Sequence, residues 1–268
     1  MIGVDLRTHT GAGAGPPRKV YLRELSGHDE SFDGTAAELI DRLLLERPGA
    51  AARPGEAARL TLAEVDRVLA AIYRSLYGDE VECHVNCASC GSPYTMSFTL
   101  TDMWDALTET SAEDEQLLAE LEGPDERGVF GLGALRFRLP TGEDLLEAAA
   151  GGPEGVAAAL RSRCVLAEDD GRGDETLDRA MSLTGPTFDT DLEGACPECG
   201  AEQSVPFRLE DFLLAALRRE SAMLAREVHE LARAYGWSRR EILEMTRRER
   251  RQHAGLVLAE AVSSGGLT

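Results

Sequence analysis

Lysine is almost missing from this chain: Lys19 is the single one, so 27 of the 28 basic residues are arginines. With the many alanines and glycines this reads as a GC-rich coding bias and carries no functional inference. Positive charge is scarce altogether. Against 48 acids the formal net charge is -20 and the pI is near 4.7. Such a field repels nucleic acid and anionic membrane surfaces unless a local basic patch opposes it, so the expected partners are proteins. Long apolar runs are also lacking, because Arg, Asp or Glu interrupts each stretch before the ~20 residues a membrane helix needs. The segment Met1 to Pro17 has no charged-then-apolar signal pattern, which predicts a cytoplasmic protein.

The familiar catalytic motifs are missing too. No Gly-x-x-x-x-Gly-Lys-Ser/Thr phosphate loop, Gly-x-Ser-x-Gly elbow or His-Glu-x-x-His helix occurs. Histidines are scattered at His9, His28, His84, His229 and His253, with no nucleophile set beside a base. The expectation is a non-enzyme without catalytic residues or a small-molecule substrate.

What is present is a repeat. Cys87-Ala-Ser-Cys90-Gly91 returns as Cys196-Pro-Glu-Cys199-Gly200, and the flanks agree at the same offset of 109 residues: Phe98 with Phe207, Leu100 with Leu209, Asp102 with Asp211. In a reducing compartment paired Cys-x-x-Cys motifs point to metal more than to disulfides. Each turn offers two thiolates and a structural zinc takes four, so Cys87, Cys90, Cys196 and Cys199 are the expected ligands of one structural zinc per chain. A stretch of 105 residues separates Cys90 from Cys196, which makes the intervening region an insertion. Alternatives are a local Cys83/His84/Cys87/Cys90 site, metal-free knuckles, and a thioredoxin-like redox motif. Cys164 reads as a buried core thiol.

The predicted fold is α+β: mainly helical, with a small zinc-ribbon-like antiparallel sheet assembled from two distant Cys-x-x-Cys halves. The expected boundaries are a disordered leader 1–17, a helical region 18–80, a first ribbon half 81–104, an inserted α/β-hairpin region 105–185, a second ribbon half 186–210, a C-terminal helical region 211–262 and a disordered tail 263–268. Capping-box spacing at Thr35/Glu38, Thr61/Glu64, Ser111/Asp114, Thr141/Asp144, Ser238/Glu241 and Thr246/Glu249 predicts helix starts. Val65, Val68, Leu69, Ile72 and Leu76 form one apolar stripe ending at Gly78, a natural stop. Val20 to Leu25 opens a strand or short helix, and Val129-Phe130 with Leu135 to Leu139 forms a hairpin. The acidic loop 168–175 lacks calcium-loop spacing.

Charge changes sign toward the C-terminus: Arg208 to His253 holds eleven arginines against eight acids, about +3. Arg247, Arg248, Arg250 and Arg251 cluster, and Trp237 precedes a capping box in position to staple onto Ile242. These five residues form the expected partner-binding surface, for an acidic protein or for this chain's own acidic body.

Several stretches together resemble a known family. Leu22-Arg-Glu-Leu-Ser-Gly-His-Asp-Glu30, Tyr77-Gly-Asp-Glu-Val-Glu-Cys83, Leu135-Arg-Phe-Arg-Leu-Pro-Thr-Gly-Glu-Asp144, both knuckles, and Val228-His-Glu-Leu-Ala-Arg-Ala-Tyr-Gly-Trp-Ser238 through Glu241-Ile-Leu243 are similar to baseplate or tail-assembly proteins of tailed phages and contractile injection systems. The most specific part is the C-terminal helix with its Tyr-Gly-Trp-Ser turn. The resemblance implies a non-enzymatic assembly factor or structural component of such a baseplate, partnered by baseplate, tube, sheath or hub proteins, which either acts in assembly or is incorporated in the particle. Zinc would then stabilise this version of the fold. The alternative is a zinc-ribbon adaptor that regulates transcription or another protein complex.

Overall fold

The computed structural model describes residues 1–6, 18–150, 152, 155–167 and 173–265, with side chains through residue 260. It is an α+β protein. Two short strands, β1 (Ile2–Asp5) and β2 (Lys19–Leu22), pair antiparallel at the start. The helical turn α1 (Gly27–Glu30) and helices α2 (Ala36–Leu43) and α3 (Leu62–Tyr77) follow. The first ribbon, β3 (Glu80–Asn86) and β4 (Pro93–Thr99), runs into α4 (Leu100–Thr108).

The inserted region comprises α5 (Ala112–Glu120), β5 (Val129–Leu132), β6 (Leu135–Arg138), α6 (Gly142–Ala149), α7 (Val156–Cys164), β7 (Val165–Ala167) and α8 (Asp174–Thr184). The second ribbon, β8 (Asp189–Ala195) and β9 (Glu202–Arg208), continues into α9 (Leu209–Tyr235), then α10 (Arg239–Glu244) and α11 (Arg247–Gly265). Among the described residues no helix is long and apolar enough to cross a membrane.

Capping chemistry starts the helices where the spacing predicts. Thr35, Thr61, Ser111, Thr141 and Ser238 each accept from the backbone N–H three residues on, and the acid at that position accepts in return. Thr246 and Glu249 make the same reciprocal pair. One orphan donor at each side of the turn is thereby satisfied. Several of these acids also hold an arginine. Asp144 takes a two-pronged Arg138, and Asp114 takes Arg179; each arginine keeps its partner's carboxyl well below the usual carboxylate range.

The main core joins both ends of the chain. Val20, Leu22, Leu39, Ile40, Val68, Leu69 and Ile72 from the N-terminal part meet Leu209, Leu213 and Leu217 from the start of α9. The insertion keeps its own small core, in which Phe130 and Phe137 stack with centroids 5.3 Å apart over Leu177 and Ala180. A third cluster, Leu231, Ile242 and Ala254, ties α9, α10 and α11.

Two boundaries differ from those expected. The leader 1–17 is ordered at its start: Ile2 to Asp5 pair with Leu22 to Lys19, and the buried Val4 and Leu6 anchor that strand in the main core. Residues 7–17 lie outside the described residues, as do 168–172 of the acidic loop and 266–268 of the tail. The tail shortens as well, because α11 extends to Gly265. The strand β7 was not expected. Val165 pairs with Phe137 and Ala167 with Arg136, turning the predicted hairpin into a three-stranded sheet.

The junction where the insertion returns is marked by a half-buried acid. Asp66 on α3 accepts from the Phe188 backbone N–H at 2.7 Å, and burial, with Glu210 and Asp189 nearby, pushes its carboxyl up to about 7. The folded state therefore holds this proton more tightly than the unfolded chain, whose aspartates titrate near ~3.9. Its penalty is absent below that unfolded value, grows as pH rises, and is complete above about 7. Asp66→Asn keeps an acceptor without the charge. In paired thermal melts its stability relative to the parent should rise by about 1–3 kcal/mol between about pH 4 and pH 8, after discounting for the part of the group that stays wet. A difference that does not change with pH would show that Asp66 titrates normally.

Candidate metal centre

The two ribbons obey the 109-residue offset residue by residue. The strand bounds Glu80–Asn86 and Pro93–Thr99 become Asp189–Ala195 and Glu202–Arg208, and both hairpins are seven paired residues long. Each knuckle closes alike. The Gly91 N–H donates to Cys87 O at 2.8 Å and the Cys87 N–H to Ser92 O at 2.9 Å; Gly200 to Cys196 and Cys196 to Ala201 repeat these bonds at 2.9 Å each. Gly91 and Gly200 sit at φ +75° and +72°, the left-handed region that glycine enters without a Cβ clash. The exits also match: the Leu100 N–H donates to Asp79 O and the Leu209 N–H to Phe188 O.

Alternation then decides which faces meet. Val81, Val85, Phe98, Leu192, Val205 and Phe207 turn inward while Glu80, Glu82, Asp189, Asp191 and Glu193 are exposed. Phe98 meets its counterpart Phe207 edge to face, with centroids 5.2 Å apart and planes at 89°. Gln203 likewise donates to its counterpart, the Tyr94 hydroxyl, and accepts from the Ala88 N–H at 3.0 Å. A Cβ on Gly194 would stand 2.7 Å from Met96 Cε, so glycine makes room for the opposing ribbon there. Like residues facing like residues define a local two-fold relation between the hairpins.

That relation carries the cysteines together. Cys87 Sγ lies 3.6 Å from Cys199 Sγ, and Cys90 Sγ lies 3.8 Å from Cys196 Sγ. All four sulfurs fall within 4.8 Å of one another, and this group could hold a metal ion. Cys87 and Cys196 are buried; Cys90 and Cys199 are exposed. Hydrogen bonds from Ser92 draw the Cys90 thiol down to about 6, and the Cys90 and Ser89 amides lower Cys87. The Ala201 amide also favours a thiolate at Cys199, but the sulfurs of Cys87 and Cys90 hold its proton up to about 11. Four sulfurs this close cannot all ionise without a cation between them.

The local alternative with Cys83 and His84 does not form. Cys83 packs on the main core, and burial pushes its thiol up. His84 is on the outer face, its Nδ1 3.0 Å from Thr95 Oγ1. Strand alternation separates these two from the knuckle although sequence distance does not. Cys164 is fully buried, as expected for a core thiol.

No protein-family model, curated protein or solved structure matches the chain.

The expected partner surface divides. Arg250 is 1% exposed; it donates to Glu227 at 2.6 Å and to Glu30 at 2.8 Å. Arg247, also buried, donates to Glu30 at 3.0 Å and to Glu220, with its guanidinium 5.1 Å above the Tyr77 ring. Neither can reach an outside partner, which corrects their assignment to a docking face: both are turned into the chain's own carboxylates. Each leaves a buried Nη1 without a hydrogen-bond partner. A guanidinium has five donors to place, more than the facing carboxylate oxygens accept here. Arg251 is half-exposed against Glu220, Glu227 and the Met223 sulfur, and Arg248 remains at the surface.

Trp237 packs into the third cluster with Ile242, as the staple requires, and stacks on Tyr235 at 4.6 Å with His253 edge-on at 5.1 Å. Gly236 at φ +70° makes this turn possible. The carboxylates Glu30, Glu220 and Glu227 are functional neighbours that sequence reasoning missed. Glu220 and Glu227 are one i, i+7 stripe on α9 and were legible as such; Glu30 lies 220 residues from Arg250 and gave no signal. Elsewhere a cleft of about 240 Å³ opens beside β1 and α3, where Arg67 lies over Trp104 at 4.5 Å and donates to Asp5 O.

Proposed function

We propose that the chain is a non-enzymatic assembly factor or structural component of the baseplate of a phage-tail-like contractile injection system, held in shape by one structural zinc ion. The observation that carries the zinc reading is the sulfur geometry. Thiolates ~2.3 Å from a tetrahedral zinc stand about 3.8 Å apart, and the two cross-ribbon pairs are at 3.6 and 3.8 Å. Cys87, Cys90, Cys196 and Cys199 would hold the ion, with no coordination position left for a substrate or activated water. The ion would supply charge neutralisation and a cross-link, not a reaction.

The part assigned to the baseplate rests on the likeness of the C-terminal stretch, which folds into a defined shape. Tyr235, Gly236 and Trp237 set the angle at which α10 and α11 leave α9, and Arg247 and Arg250 fix them onto α1. What remains outward is Arg248, the half-exposed Arg251, and the apolar Met223, Leu256 and Leu258. These residues are the surface offered to a baseplate, tube, sheath or hub protein.

The test uses the full-length chain, tagged and co-expressed with the proteins encoded beside it. Sheath, tube or hub proteins should co-purify in a ratio that salt changes little, and Arg248→Glu with Leu258→Asp should weaken that capture about tenfold or more. Neighbours that encode no sheath, tube or spike, or affinity for nucleic acid that falls steeply with salt, would instead favour the adaptor reading.

A further inference from the structure

We propose that the four-cysteine centre is an oxidation site for hydrogen peroxide, and that its product is a pair of disulfides running between the ribbons, Cys87–Cys199 and Cys90–Cys196. The loss of metal in this reaction rests on the zinc reading above; the pairing rests on the geometry alone. The sulfur contacts of 3.6 and 3.8 Å both cross from one ribbon to the other. A disulfide needs about 2.05 Å, so each pair has to close by roughly 1.5–1.8 Å.

Exposure supplies the division of labour. Each cross pair joins one exposed residue, Cys90 or Cys199, to one buried residue, Cys196 or Cys87. The exposed thiolate attacks a peroxide oxygen, the O–O bond breaks, and hydroxide leaves as water after taking a proton, which gives a sulfenic acid. The buried thiolate then attacks that sulfur, the S–O bond breaks, and a second water forms with another proton. Two thiolates are oxidised to one disulfide and one peroxide is reduced to two waters. The first disulfide removes two of the four ligands from the ion, and the second releases it to solvent. Cys83, packed on the main core, and Cys164, fully buried, stay reduced.

The consequence is a clamp that outlasts its metal. Crosswise disulfides keep the segment before Cys90 joined to the segment after Cys196, so α9 stays in place relative to the first ribbon. Chelation removes the ion and leaves the ribbon tips joined only by non-covalent contacts such as the Ala88 N–H to Gln203 bond.

The experiment is peroxide titration of the full-length protein as purified, with released metal read by a chromogenic chelator and linkages by non-reducing peptide mapping. Expected are loss of free thiol at four cysteines and peptides joined 87–199 and 90–196. Metal should leave at about two peroxides per ion, and the melting temperature should stay above that of the chelated, reduced protein. Disulfides within the knuckles, sulfinic or sulfonic acids in their place, or thiols still free when a glutathione control is consumed would overturn the proposal. A protein that is metal-free as purified would remove the zinc reading, while the linkage map still decides the pairing.

Discussion

Cys196→Ser is expected to lower bound zinc from about one per chain to well below that, and to lower the melting temperature by about 10–20 °C. Free zinc fingers set a ceiling, since there the metal provides ~10–16 kcal/mol and is the whole core. Here the apolar cores fold around the site, so a bound ion would add only the cross-link between ribbon tips. A cross-link closing about 100 residues contributes roughly 4–5 kcal/mol in the chain-entropy picture. The expected loss is therefore about 3–6 kcal/mol, which for a chain of this size is the stated shift in melting temperature.

Two controls separate the ligand sets. Chelating the parent protein should reproduce the variant's melting temperature, because both lack the same cross-link. Cys83→Ser should leave zinc at about one per chain, since Cys83 is on the face that packs on the core. Two zinc ions per chain by metal analysis, or a Cys196→Ser protein as stable as the parent, would defeat the shared site.

The sequence carried this centre because a repeat is a local signal. Cys87, Cys90, Phe98, Leu100 and their counterparts share one offset, and symmetry then brings equivalent positions face to face. Helix starts were legible for the same reason, since a capping box lies within four residues. Long-range pairing was not. The strand Ile2–Asp5 needed its partner Lys19–Leu22 across a glycine-rich segment that read as a leader. Likewise β7 is three residues long and is a strand only because β6 offers an edge. The arginine cluster was visible as charge, but burial is a property of the fold. Arg247 and Arg248 look alike in sequence, but adjacent helix positions lie 100° apart, which turns one into the interior and the other to the surface.

That difference in direction sets the second large effect, expected at Glu30. Glu30→Gln should destabilise the protein by about 3–5 kcal/mol, because it removes the carboxylate shared by Arg247 and Arg250 and leaves two buried guanidinium groups facing the remaining Glu220 and Glu227. The amide keeps the shape and one acceptor, so the cost reports charge, not packing. Surface pairs provide the contrast. Arg240→Ala, which removes a pair with Glu244 at 84% and 53% exposure, should leave the melting temperature essentially unchanged.

The loss should also have a place. Glu30 belongs to α1, whereas its partners belong to α11, and Glu220 and Glu227 hold the same arginines from α9. Hydrogen exchange in Glu30→Gln should therefore quicken first at α10 and α11, while the ribbons keep their protection. Added salt should not mimic the substitution, since water and ions do not reach Arg250. A combined Glu30→Gln, Arg250→Met protein should recover part of the stability, because an unpaired buried charge is costlier than an apolar side chain of similar length. If the single substitution costs under about 1 kcal/mol, or exchange quickens at the ribbons instead, the buried arginines do not fix the C-terminal helices.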